Sequence, residues 1–93
     1  MVQPIQQAMP GALVELLRGT PLSQGKVGFA WRAAVGPAVG KVTTVRLEGR
    51  QLLVDAASLA WKREVERSTP VILMRLRTLL GNDTPTTITV REP

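Results

Sequence analysis

The order of apolar and polar positions changes period three times along the chain, and each change marks a boundary between elements. From Gly11 the stretch GALVELLRG sets Leu13, Leu16 and Leu17 on one side of a short amphipathic helix, which Gly19 stops. A second helix starts after TPL, capped by Thr20 or Ser23, because Val27, Ala30, Trp31, Ala34 and Val35 recur with helical spacing. It should end at Gly36-Pro37, since proline disfavours a helical residue before it and cannot donate to the preceding turn. Residues 38–42 leave room for one further turn. A period of two then takes over in TTVRLEGRQLLVDA: Val45 and Leu47 alternate with Thr44, Arg46 and Glu48, and Leu52, Val54 and Ala56 alternate with Leu53 and Asp55. With EGRQ between the runs this predicts a hairpin, Gly49 supplying the backbone freedom of the turn. One face of the hairpin is apolar and needs a cover of helices; the other carries Arg46, Asp55 and Leu53.

The helical period returns over residues 58–80, where Trp61, Val65, Ile72, Leu76 and Leu79 share a narrow arc of a continuous helix. Pro70 leaves two readings open: one long helix, or STP acting as a cap and first-turn proline between two helices of roughly ten residues each. Gly81-Asn82 provides the stop, and TTITV is the last strand, with Ile88 and Val90 inward. The predicted order is helix, helix, strand, strand, one or two helices, strand. That order suits an α+β domain, a three-stranded sheet with helices packed on one face. Residues 1–10 contain two prolines and read as a loose lead-in. Residues 11–91 are expected to form a single domain, because a chain of 93 residues has room for one core.

Composition narrows the chemistry. Cysteine and histidine are both absent, which removes the commonest zinc ligands, the usual proton shuttle near neutral pH and any disulfide framework. The carboxylates Glu15, Glu48, Asp55, Glu64, Glu66, Asp83 and Glu92 show no metal-box spacing, and no serine sits in a GxSxG elbow. GPAVGK at residues 36–41 is not a phosphate loop: three residues separate its glycines instead of four, and Val42 follows the lysine. It reads as a helix stop with a turn. No enzyme, metal or cofactor is expected. No apolar run approaches the roughly 20 residues that span a bilayer, and the N-terminus lacks a signal-peptide pattern, so a cytoplasmic location without membrane contact is expected.

Twelve basic residues against seven acidic ones give a net charge of +5, and nine of the twelve are arginine, whose planar fork matches phosphate. In SLAWKREVERS, Lys62 can meet Glu66 at four residues and Glu64 can meet Arg67 at three, so much of that run is a salt-bridged outer face. Arg75 and Arg77 lack acidic neighbours, as do Arg46 and Arg50 apart from Glu48. These four are the better candidates for phosphate contact. Trp31 and Trp61 fall in apolar arcs and are assigned to the core. The strands hold no aromatic residue, which disfavours a base-stacking sheet.

Four landmarks occur together: Trp31 followed by Val35-Gly36, the strand pair VRLEGRQLLVDAAS, Trp61 just behind it, and a leucine-rich helix ending in LLG. In this order and spacing, over residues 11–91, the chain resembles the DciA family, bacterial proteins formerly grouped only as a domain of unknown function. The resemblance implies a K-homology-like fold and a role in loading or activating the DnaB-type replicative helicase without ATP, with DNA and the helicase as partners. Family members often carry a disordered extension beside this domain that helps engage the partner; no such extension is expected here. The GxxG loop by which true K-homology modules clamp a nucleic-acid backbone is not expected either, so contact should run through basic surface.

The expectation is therefore a non-enzymatic adaptor that contacts the replicative helicase. It would hold single-stranded DNA nearby through Arg46, Arg50, Arg75 and Arg77, with Lys62, Arg63 and Arg67 as a second tier, and take no small-molecule substrate. The alternative is a stand-alone RNA-binding module linked to ribosome or RNA maturation. A third reading is a protein-interaction domain whose positive charge only keeps it soluble.

Overall fold

The computed structural model describes residues 11–19 and 21–92. The lead-in expected over residues 1–10, Thr20 as a cap, and the side chains of Leu13 and Leu16 lie outside the described residues. The elements are helices α1 (Gly11–Arg18) and α2 (Gln24–Gly40), strands β1 (Thr43–Glu48) and β2 (Gln51–Ala56), helix α3 (Leu59–Leu80), a 3-10 turn at Gly81–Asp83 and strand β3 (Thr87–Arg91). This is the predicted α+β order, consistent with a K-homology-like fold, and α3 is one helix rather than two.

The strands lie in the order β1-β2-β3, with β1 antiparallel and β3 parallel to β2. A parallel neighbour needs a long crossover, and α3 supplies it. Val45 faces Val54 and Leu47 faces Leu52, while Leu52 lies beside Ile88 and Val54 beside Val90. This register gathers the apolar set on one face, which α2 and α3 cover, and α1 packs on α3. Glu48 opposite Gln51 leaves a two-residue turn of Gly49 and Arg50. Gly49 has φ 61 and no other residue of the turn has a positive φ, the pattern of a II′ hairpin.

The outer edge of β1 is partly closed by a side chain. The Gln24 amide donates to the Leu47 carbonyl at 2.9 Å and accepts from the Leu47 N–H at 3.0 Å, standing in for a missing strand. Replacing Gln24 with alanine should release both groups at about 1 kcal/mol, a fall in melting temperature of about 4–8 °C in a domain this size. A thermal melt followed by circular dichroism checks it, and an unchanged midpoint would mean that water replaces the amide without loss.

Helix α2 begins at Ser23, whose hydroxyl accepts from the Lys26 N–H at 3.1 Å. It breaks where proline predicted, at Gly36 with φ 85 and ψ 173, then resumes for the turn ending at Gly40. Before the break Trp31 is only 1% exposed, and its indole N–H donates to the Thr43 hydroxyl at 2.8 Å. That hydroxyl in turn donates to the Val39 carbonyl, beyond the break, at 2.8 Å. Trp31 is thus in the core, as expected. Trp61 is only partly buried and packs at the core margin.

Helix α3 starts with Ser58 accepting from the Trp61 N–H and runs unbroken through Pro70. An interior proline costs about 3 kcal/mol. Val65, Ile72, Leu76 and Leu79 are each buried to 3% exposure or less on both sides of it, and each contributes about 1.5–3 kcal/mol. Pro70 and Glu66, whose carbonyl loses its amide donor, are both exposed, so water can take the donor's place.

Candidate nucleic-acid interface

The hairpin turn and the end of α3 meet at an open cleft of about 830 Å³. Arg50 reaches it from the turn and Arg77 from the last turn of α3, with Asn82, Thr84 and Thr86 around them and Leu73, Leu80 and Pro85 lining the apolar part. Arg50 is held at both ends. Its carbonyl accepts from the Thr86 N–H at 2.8 Å, and its guanidinium donates to the Thr84 carbonyl at 3.2 Å. Thr84 is fixed in turn, its hydroxyl donating to the Gly81 carbonyl at 2.6 Å. Two guanidinium groups beside hydroxyl and amide donors form a surface that can accept phosphate oxygens. Asp83, also in the lining, contributes the one carboxylate there.

The remaining predicted residues are dispersed. Arg46 stands on the uncovered sheet face and pairs with Glu48 at 2.9 Å, two residues along the same face. Arg75 turns toward α2 and donates to the Ala34 carbonyl at 3.2 Å, beside the Gly36 break, which gives it a structural duty. Lys62 pairs with Glu66 at 3.3 Å and Arg67 with Glu64, the two pairings expected from the helical spacing. Arg63 is exposed, and its side chain makes no ion pair or hydrogen bond among the described residues. Exposed ion pairs are worth about 0–1 kcal/mol, so a phosphate can draw such arginines away, but the carboxylates left behind oppose it. On the same sheet face Arg91 holds Asp55 with two nitrogens, at 3.0 and 3.3 Å.

Besides Arg91, two exposed cations were not singled out from the sequence. Arg32 projects from α2 and Lys41 follows its last residue, and neither side chain has a partner among the described residues. Arg32 lines a second, narrower groove of about 310 Å³ with Gly25, Gly28 and Gly40. The spacing G-x-x-G does occur here, at Gly25 and Gly28, but within the first turns of α2 and not in a loop. The signal that could have found Arg32 is its position one residue past the buried Trp31, about 100° around the helix and therefore outward.

Among the described residues no group of three or more acidic side chains could hold a metal ion, and no helix is long and apolar enough to cross a membrane. Comparison with curated proteins gave no match. Among protein-family models, the one described as "Dna[CI] antecedent, DciA" matches residues 4–90, nearly the whole chain.

Proposed function

The chain belongs to the DciA family, and from that membership we propose that it binds the DnaB-type replicative helicase and holds single-stranded DNA beside it. The family is one of replication adaptors that load this helicase and is not a family of enzymes. The observation that supports a DNA-binding role is the meeting of Arg50 and Arg77 on one open cleft. Arg63 is the most available member of the second tier. Arg46, Lys62 and Arg67 would contribute after giving up a carboxylate, and Arg75 through any donors that its bond to Ala34 leaves over.

The test is size-exclusion chromatography with light scattering on the domain and the helicase hexamer from the same cell, with and without oligo-dT. Co-elution strengthened by DNA is expected. Reversing both cleft charges, Arg50→Glu with Arg77→Glu, should weaken oligo-dT binding at least about tenfold and flatten its dependence on salt, because fewer counterions are released. Binding that is flat with salt in the unmodified domain would remove the arginines from the account. A strong preference for structured RNA over oligo-dT of equal length would instead favour a role in RNA maturation.

A further inference from the structure

Most of the cations among the described residues already have partners. Arg46, Lys62, Arg67 and Arg91 lie against carboxylates, and Arg50 and Arg75 donate to main-chain carbonyls. Arg32, Lys41 and Arg63 are exposed without such partners among the described residues; of these Arg32 lines the 310 Å³ groove between α2 and the outer edge of β1, and Lys41 directly follows Gly40 of its lining.

The helix wall of that groove is bare for no local reason. A Cβ at Gly25 would meet nothing nearer than the Ser23 hydroxyl at 3.9 Å, and one at Gly40 would touch only the Arg32 side chain, at 3.6 Å. At Gly28 the single contact would be the movable end of Arg32, at 3.4 Å. None of the three has a positive φ. Each glycine in a helix costs up to about 1 kcal/mol against alanine. Packing does not call for them, so the space they leave is what they contribute. The opposite wall is the edge of β1. Gln24 holds both main-chain groups of Leu47 there, and the two-residue parity of a strand turns Val45's N–H to the same edge.

We infer that this groove seats the phosphodiester backbone of single-stranded DNA, with Arg32 and Lys41 pairing phosphates and the glycine wall admitting the backbone at close range. The inference rests on the reading that the domain binds DNA, and it adds a contact separate from the Arg50 and Arg77 cleft. An extended protein segment could also pair with the β1 edge. Arg32 and Lys41, neither of them held by a partner among the described residues, and the net charge of +5 favour the polyanion.

Fluorescence anisotropy of labelled oligo-dT across a salt series tests it, using Arg32→Ala, Gly25→Leu and, as a charge control outside both clefts, Arg91→Ala. Arg32→Ala should bind about tenfold more weakly, as loss of one charge-assisted bond requires. Its slope of log K against log salt should fall by about 0.7, the share of one phosphate. Gly25→Leu should melt at or above the unmodified domain, since leucine is the better helix former, and yet bind DNA more weakly because the groove is filled. Arg91→Ala should keep the slope. If Arg32→Ala and Gly25→Leu bind normally while the Arg50 and Arg77 reversals do not, the groove is overturned and DNA binding stands. If the unmodified domain binds no oligo-dT at low salt, both fall. Loss of helicase capture by Gly25→Leu with DNA binding intact would assign the groove to a protein strand and overturn the inference.

Discussion

Replacing Trp31 with alanine is expected to destabilise the domain by about 4 kcal/mol and lower its melting temperature by on the order of 20 °C. Trp31 is the largest fully buried side chain, and it touches two terms of the energy at once. Its ring fills the space between α2 and the sheet, and its N–H feeds a chain of hydrogen bonds through the Thr43 hydroxyl to the Val39 carbonyl. The small core of a 93-residue chain cannot close over so large a void. Thr43→Val separates the two terms, because it keeps the shape and removes the relay. It leaves the indole N–H without its partner, at about 1–3 kcal/mol if that group stays dry, while the Val39 carbonyl keeps the Val42 N–H at 3.1 Å. A Trp31→Ala protein that melted within about 5 °C of the unmodified domain would show that neighbouring side chains refill the gap.

What could be read from the sequence was what local rules govern. The Ser23 cap, the alternation of the hairpin, its glycine turn and the charge pairs of α3 each depend on residues within four positions of one another. Pro70 was not decidable in this way. Its cost is local, whereas the burial that outweighs it comes from α2 and the sheet. The candidate site shows the same division more sharply. Arg75 looked free because no acid lies near it in sequence, and Arg50 because only Glu48 does, but they donate to carbonyls 41 and 34 residues away. Arg46 and Glu48 are close in sequence, and it is the strand's period that sets them on one face. Arg32 was passed over because it sits within an apolar run in which Ala30, Trp31, Ala34 and Val35 are buried. The glycines of its groove carry no sequence signal, since an empty surface is visible only once the facing strand is in place.

The break in α2 should respond most to Gly36→Ala. At φ 85 and ψ 173 the chain occupies a region that essentially only glycine enters, and an alanine held there costs about 1–3 kcal/mol. The escape is no cheaper. Straightening the helix would place Pro37 in its interior against the carbonyl of Ala33, at about 3 kcal/mol. It would also swing the last turn away, and with it the Val39 carbonyl that receives Thr43 and the wall of the Arg32 groove at Gly40. Straightening also gives the Ala34 carbonyl a helical donor and so removes the need for Arg75. The expected result is a loss of about 3 kcal/mol by denaturant unfolding that is not additive with Thr43→Val, since a displaced last turn has already given up the relay. Simple additivity would show that the turn stays in place and that alanine bears the strain. A protein that keeps its full stability would mean that the break is set by Pro37 and the packing around it, with the glycine incidental.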